Sequence, residues 1–196
     1  MLKQFKIASV FLVCFTLLTG LVYPLLIAVI GQSLFPWQAQ GSLLMQQEHP
    51  VGSKLIGQWF QQPRYFLGRP SSTANVPYNA LYSGASNLGP SNPVFIDIVR
   101  WRVQHWQQLD PNNSHPIPIE LVTASASGLD PEISPQAAFY QAPRIARLNH
   151  LPDKTIQHLI KKHITPRSLA FLGEPRINVL ELNMALDAIL AKHKEN

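Results

Sequence analysis

The sequence of 196 residues contains a single cysteine, Cys14, and none in residues 32–196. Residues 32–196 therefore cannot form a disulfide and cannot misoxidise outside the cytoplasm. The 16 Lys and Arg residues are scattered, and no basic stripe alternates with aromatic residues. The net charge of +5 therefore does not indicate a nucleic-acid partner, and we expect none.

Charged side chains are also missing from residues 7–31. A helix of that length is about 37 Å long, which exceeds the roughly 30 Å hydrocarbon layer of a bilayer. We therefore predict a leader at residues 1–6, a transmembrane helix at 7–31 and a soluble domain at 32–196. A cleaved signal peptide is the alternative, but its apolar core would be shorter and would end in small residues, unlike Ala28-Val29-Ile30-Gly31.

The distribution of Lys and Arg around the apolar run predicts the orientation of the chain. Lys3 and Lys6 precede the run, whereas residues 31–50 contain no Lys or Arg and one acid, Glu48. Because positive charge next to a span stays on the cytoplasmic side, we expect a cytoplasmic N-terminus and an extracytoplasmic, periplasmic domain. Trp37 suits the far interface, where an indole ring is half hydrated.

The transmembrane helix carries a possible packing face. Thr16 and Gly20 have a small-xxx-small spacing, which lets two helices approach closely. Pro24 predicts a kink one turn later. Small residues are also common in membrane helices that pack against nothing specific. Thr16 and Gly20 therefore either contact another helix or have no specific role, and the sequence leaves both interpretations open.

The domain after the helix is predicted to be α+β and rich in loops. Short strands are expected near 54–56 and 65–67, and the best strand pattern covers 117–123. Residues 52–93 otherwise lack periodicity and hold many polar side chains. A loop of that length is usually functional or disordered, and its interleaved Tyr, Phe and Leu residues argue against disorder.

Four helices are predicted from caps and apolar spacing. Asn92-Pro93 opens the first, which ends near Asp110, and Ser134-Pro135 opens a second that stops before Pro143. A third covers 153–163. The last begins at Asn178, where Glu181 completes a capping-box spacing. Strands and helices do not alternate regularly, so one compact α+β domain is expected instead of a doubly wound sheet.

Motifs for catalysis are incomplete in this sequence. Gly52-Ser53-Lys54 lacks the upstream glycine of a phosphate-binding loop, and Asp153-Lys154-Thr155 is not followed by the Gly-Thr of phosphorylated ion pumps. No glycine precedes Ser125 or Ser127 at the spacing of a nucleophile elbow, so the end of a strand that turns through Gly128 is expected there. We therefore predict a binding or structural module with no catalytic residues.

Metal binding is not expected either. His158 and His163 are five residues apart, which on a helix separates their side chains by roughly 140°. No cysteine is available nearby as a further ligand.

Several ordered segments carry a resemblance to a known family. In chain order they are Val22-Tyr23-Pro24-Leu25-Leu26, Phe35-Pro36-Trp37-Gln38-Ala39, Gly52-Ser53-x-Leu55-Ile56-Gly57-Gln58, Tyr65-Phe66-x-Gly68-Arg69-Pro70-Ser71, Pro77-Tyr78-Asn79, Ser86-Asn87-Leu88, Ser91-Asn92-Pro93, Leu121-Val122-Thr123-Ala124-Ser125-Ala126-Ser127-Gly128-Leu129-Asp130, Ile133-Ser134-Pro135-Gln136-Ala137-Ala138 and Gln141-x-Pro143-Arg144-x-Ala146. Together they closely resemble the C subunit (KdpC) family of bacterial Kdp potassium-transporting ATPases over almost the whole chain.

The resemblance implies a non-catalytic subunit of a four-subunit complex in the bacterial inner membrane. Its partners would be a channel-like K⁺-translocating subunit, a P-type ATPase subunit and a small single-span subunit. ATP and K⁺, with Mg²⁺ for the ATPase subunit, would act at the level of the complex, and no cofactor is expected on this chain. The family's C subunit is described as required for assembly and as a catalytic chaperone that raises the ATP affinity of the ATPase subunit.

The resemblance also selects candidate site residues. Gln141 is the candidate for nucleotide, because its amide could pair with adenine or phosphate, and a hydrogen bond at a helix end is the alternative. ATP is cytosolic whereas the predicted orientation puts the domain outside, so any effect on ATP use would be allosteric. Candidates for subunit contact or the ion entrance are Arg69, Ser71, Tyr78, Asn79, Ser86, Asn87 and Asn92.

Two other functions stay open from the sequence. One is an anchored extracytoplasmic enzyme, and the other is a cytoplasmic nucleotide-binding chaperone. The three hypotheses differ in the side of the membrane on which the domain lies and in whether the domain has activity by itself.

Overall fold

A computed structural model describes residues 1–194 of the protein and divides the chain into two compact units, with the boundary after Ser53. The first unit opens with a continuous helix, Leu2–Leu34, whose length and composition suffice to cross a membrane. It consists of α1 (Leu2–Leu17), a π-helical turn (Leu18–Val22) and α2 (Tyr23–Leu34). The π turn ends two residues before Pro24, which has no N–H to donate to the carbonyl of Gly20.

The first unit ends in a short helix and a hairpin that the sequence did not predict. Helix α3 is Pro36–Ala39, and strands β1 (Leu43–Gln46) and β2 (His49–Ser53) pair antiparallel. Both turn residues, Gln47 and Glu48, have positive φ, which matches the twist of a tight hairpin.

The second unit, here called the body, covers residues 54–194 and confirms the predicted α+β class. Its helices are α4 (Pro93–Leu109), α5 (Pro135–Leu148), α6 (Asp153–Lys162) and α7 (Val179–Lys194). Strands β3 (Glu132–Ile133) and β4 (Ile177–Asn178) form an antiparallel pair. The fully buried core includes Phe66, Leu121, Ile133, Ile145, Ile156, Ile160, Ile177, Leu182 and Leu186.

The predicted helix caps are confirmed in the body. The side chain of Asn92 accepts from the N–H of Val94 at 2.9 Å, and Ser134 Oγ accepts from Ala137 at 3.1 Å. Asn178 Oδ1 accepts from the N–H of Glu181 at 3.0 Å. The carboxylate of Glu181 pairs with Lys54 at 2.8 Å instead of completing the capping box.

The three predicted strands were wrong. Residues 117–123 contain a 3₁₀ turn at Ile119–Leu121, since Pro116 and Pro118 lack the N–H groups that a ladder requires. Residues 54–56 form a turn after β2. Residues 65–67 do not belong to a sheet, because side-chain amides bind the backbone groups of Phe66 and Leu67 and the N–H of Tyr65 donates to the carbonyl of Gln62.

The end predicted for the helix after Ser134 was also wrong, since α5 continues through Pro143 to Leu148. Pro143 is exposed, whereas Arg144, Ile145 and Ala146 beyond it are buried. Packing of that last turn therefore outweighs the hydrogen bond that the proline removes.

Candidate functional site

Four of the predicted polar residues, Arg69, Ser71, Tyr78 and Asn79, belong to one hydrogen-bonded loop cluster. Ser71 Oγ donates to the carbonyl of Gly128 at 2.7 Å and accepts from the N–H of Tyr78 at 2.9 Å. The Tyr78 hydroxyl donates to the carbonyl of Arg69 at 2.6 Å. The N–H of Asn79 donates to Thr73 Oγ1 at 3.1 Å. These side chains are used to hold the loops in one shape.

Tyr78 packs where two glycines leave room for its ring. A Cβ on Gly68 would lie 2.6 Å from the Tyr78 hydroxyl, and a Cβ on Gly57 would lie 2.6 Å from the carbonyl oxygen of Asp130. Burial, reinforced by the nearby charge of Asp130, raises the pKa of Tyr78 to about 12. The phenol therefore stays protonated at neutral pH and remains a hydrogen-bond donor.

A turn runs through Gly128 as predicted, but no strand leads into it, and the turn joins the loop cluster to residues 124–130. Gly128 has φ +67°, and a Cβ there would lie 2.8 Å from the carbonyl oxygen of Gly84. Ser125 Oγ accepts from the N–H of Gly128 at 3.0 Å, as a turn residue does. Only glycine combines this backbone conformation with so close an approach.

Arg69 connects the cluster to a groove on its outer side. Its Nη1 lies 3.0 Å from Asp130 Oδ2, and its Nη2 lies 3.5 Å from the carbonyl of Ala124. Its Nε is buried and has no hydrogen-bond partner within residues 1–194. Arg69 thus keeps donor capacity beyond its pair with Asp130.

Ser86, Asn87 and Asn92 have local roles instead. Ser86 Oγ accepts from the N–H of Leu88 at 3.5 Å, and Asn87 adopts a positive φ of 53°. Asn92 is the N-cap of α4. The structure therefore does not gather all seven predicted contact residues at one point.

Gln141 lies in the middle of α5 and is 1% exposed. Its Oε1 accepts from the N–H of Leu67 at 2.8 Å, and its Nε2 donates to the carbonyl of Leu67 at 3.1 Å. The same Oε1 accepts from Arg144 Nη2 at 2.8 Å. A nucleotide at this amide would have to replace three hydrogen bonds inside the core.

Arg144 is fully buried beside Gln141. Its guanidinium carbon lies 5.7 Å from the centre of the Trp106 ring, and burial lowers its pKa to about 10. Asn183 of α7 binds the backbone of Phe66 in the way that Gln141 binds the backbone of Leu67. Asn183 Oδ1 accepts from the N–H of Phe66 at 2.9 Å, and Asn183 Nδ2 donates to the carbonyl of Phe66 at 2.9 Å. This polar group joins α5 and α7 to the loops.

A groove of about 420 Å³ separates the loop cluster from α4. We call it the tryptophan groove, and its walls include Trp59, Arg69, Tyr78, Trp101, Arg102 and His105. Arg69 and Tyr78 were predicted from the sequence motifs, whereas Trp59, Trp101 and Arg102 were not. Trp101 is exposed and Arg102 is half-buried on α4, and neither belongs to the apolar spacing that identified the buried face of this helix.

Thr16, Gly20 and Pro24 are all exposed on the first helix of the chain. A Cβ on Gly20 would meet no atom within 4 Å. The small-residue face is therefore available for another helix.

Comparisons with known proteins agree with the resemblance. Residues 5–188 match the family described as KdpC, K⁺-transporting ATPase, c chain. The chain is similar to proteins named potassium-transporting ATPase KdpC subunit. It is 52% identical to that of Methylococcus capsulatus over 96% of this chain and 100% of the relative. It is 56% identical to the subunit of Methylibium petroleiphilum over 88% of this chain and 90% of the relative. It is 49% identical to the subunit of Burkholderia mallei over 98% of this chain and 100% of the relative.

Proposed function

This chain belongs to the KdpC family of K⁺-transporting ATPase c chains, and on that premise we propose that it stabilises the assembly of the ion-conducting and ATP-hydrolysing subunits. It is an accessory, non-catalytic subunit of a potassium uptake complex. The partners in this proposal are the channel-like K⁺-translocating subunit, the P-type ATPase subunit and a small single-span subunit. The observation that carries the proposal is the family match over residues 5–188, which includes both the apolar helix and the body.

The proposal places the chain in the bacterial inner membrane with residues 1–6 in the cytoplasm, residues 7–31 in the bilayer and residues 32–196 in the periplasm. Its support is the charge asymmetry, because Lys3 and Lys6 precede the apolar helix and the next cation is Lys54. Thr16, Gly20 and Pro24 would then face a helix of a partner subunit within the membrane.

In this arrangement the loop cluster serves as a rigid contact surface near the ion entrance. Arg69, Ser71, Tyr78 and Asn79 hydrogen-bond to neighbouring groups of the body, so their loops lose little conformational entropy when a partner binds. A preformed surface suits a subunit that fixes the position of another protein. Asn87 and Ser86 extend the same loop surface along the chain.

The proposed chaperone effect on ATP use is allosteric. A periplasmic body has no access to cytosolic ATP, so it can raise ATP affinity only by favouring one conformation of the ATPase subunit or of the channel-like subunit. The hydrogen bonds of Gln141 to Leu67 and Arg144 support a structural use of that amide. Direct nucleotide contact at Gln141 remains the alternative.

The orientation can be tested in cells with one cysteine at a time. Cys14 is replaced by serine, and Ser114→Cys then provides an exposed thiol in the body, with Gln4→Cys as the matched control in the leader. A maleimide that cannot cross membranes should label position 114 but not position 4 in cells with a permeabilised outer membrane. Labelling of position 4 alone would place the body in the cytoplasm and overturn the proposed orientation.

The assembly role is tested by removing residues 1–34 while keeping the remainder of the chain. We expect the complex to lose its stability in detergent and the cells to stop growing at micromolar K⁺. The full-length chain, re-expressed in the same strain, is the control. Normal growth and normal copurification of the partner subunits without residues 1–34 would contradict the proposal.

A further inference from the structure

The tryptophan groove has the size and lining of a binding site. Its volume of about 420 Å³ lies in the range of sites that enclose a small ligand or a few side chains. One wall is α4, and the other comes from residues 58–61, 67–71 and 77–78. The second wall is held by the Ser71 and Tyr78 hydrogen bonds, so the groove is already formed in the free body.

Two tryptophans line the groove with most of their surface in solvent. Trp59 is 57% exposed and Trp101 is 64% exposed. The Trp101 ring stacks on His105 of the same helix, with centroids 5.7 Å apart and planes 12° apart. Large aromatic rings that are held before binding dominate the energy of many protein interfaces, because they bury much area at little cost in entropy.

The groove also contains one cation without an acidic partner. Arg69 and Arg102 both line it, but Arg69 is paired with Asp130 at 3.0 Å, and no Asp or Glu is among the lining residues in the described part of the chain. Arg102 Nη1 donates to the carbonyl of Val122 at 3.0 Å, and Arg102 forms no ion pair within residues 1–194. Partial burial lowers the pKa of Arg102, since desolvation disfavours its charged form. A carboxylate in the groove would restore the charge pairing that Arg102 lacks.

This combination of rings and cations defines the ligand chemistry. We infer that the tryptophan groove binds an extended segment of the ion-conducting partner subunit in which an Asp or Glu lies next to an apolar or aromatic side chain. The inference rests on the proposed function. Entrances to cation pathways carry carboxylates that concentrate the ion, so the surface of such a partner is complementary in charge to this groove. The apolar neighbour would fill the space between Trp59 and Trp101.

The first test is photo-crosslinking in the assembled complex in its native membrane. The photoreactive residue p-benzoylphenylalanine is placed at position 101, at position 59 and, as a control outside the groove, at exposed position 148. Crosslinks from 101 and 59 should join one peptide of the ion-conducting subunit that contains Asp or Glu. Crosslinks to the ATPase subunit, to lipid, to a peptide without an acid, or to nothing would each overturn the inference.

The second test separates the charge of Arg102 from general effects. Arg102→Gln should lower the amount of ion-conducting subunit that copurifies about tenfold or more, whereas Arg102→Lys should restore part of it. Arg100→Gln is the matched control, since Arg100 lies on the same helix, is 72% exposed and pairs with Asp97. Thermal unfolding of each variant checks that the body still folds.

These outcomes can be told apart from a failure of the proposed function. If Arg102→Gln copurifies with the partner as the unaltered chain does, the groove inference is wrong while the assembly role stands. If the unaltered chain itself fails to copurify with the ion-conducting subunit, the proposed function is wrong as well.

Discussion

The side-chain amide of Gln141 pairs with both backbone polar groups of Leu67, at 2.8 Å to the N–H and 3.1 Å to the carbonyl. Asn183 does the same for Phe66. Side-chain amides from α5 and α7 therefore make the hydrogen bonds to this segment that the backbone of a neighbouring strand makes in a sheet. The buried backbone groups of this segment are satisfied without a sheet, as burial requires.

Replacement of Gln141 should therefore lower stability. Gln141→Ala leaves the half-buried backbone polar groups of Leu67 and one buried donor of Arg144 without partners, and we expect a loss of about 3 kcal/mol in unfolding free energy. Urea unfolding of the full chain in detergent measures this free energy, and Gln104→Ala at an exposed position of α4 is the control. A variant of unchanged stability that weakens ATP binding by the complex would instead favour the nucleotide role.

Tyr78 predicts a specific loss of stability at high pH. Its pKa is raised from 10 to about 12 in the folded body, so its contribution is complete below pH 10 and disappears as the pH rises towards 12. A pKa change of this size corresponds to about 3 kcal/mol. The difference in unfolding free energy between Tyr78→Phe and the unaltered chain should shrink over this window. A constant difference from pH 9 to pH 12 would show that Tyr78 titrates normally.

Gly57 should not tolerate even one methyl group. A Cβ at this position would lie 2.6 Å from the carbonyl oxygen of Asp130 and would also clash with the Tyr78 ring. Gly57→Ala should therefore cost about 1–3 kcal/mol, because the backbone must shift. At Gly84 an added Cβ meets nothing within 4 Å, so Gly84→Ala is the control and should be nearly neutral. Thermal unfolding of both variants compares them, and equal midpoints would contradict the close packing.

The turn between Ser168 and Leu172 predicts a stabilising substitution. Leu169 and Ala170 both have positive φ, at 52° and 68°, and the turn is closed by hydrogen bonds between Ser168 and Leu172. Ala170→Gly should therefore stabilise the body by up to about 1 kcal/mol, since glycine adopts this conformation without steric cost. Ala188→Gly, at an exposed position inside α7, should lower the unfolding free energy by about 1 kcal/mol, because glycine disfavours the helix. Loss of stability in both variants would exclude strain at Ala170.

Sequence alone determined the features that depend on neighbouring residues. The charge-free run from Ile7 to Gly31 specifies an apolar helix, because side-chain polarity decides whether a segment can leave water. Asn92, Ser134 and Asn178 mark helix starts because a cap bonds to a backbone N–H two or three residues away. The motifs identified the family because each is a short run of neighbouring residues, and their order along the chain is visible without the fold.

Tertiary structure decided what depends on distant residues. The partners of Leu67 and Phe66 lie 74 and 117 positions away, so no local pattern could assign that segment to side-chain amides instead of a strand. The last turn of α5 forms beyond Pro143 because burial of Ile145 outweighs the local preference of proline. The tryptophan groove likewise exists only where folding brings residues 58–78 close to α4, and the exposed rings of Trp59 and Trp101 follow no periodic pattern that would have selected them.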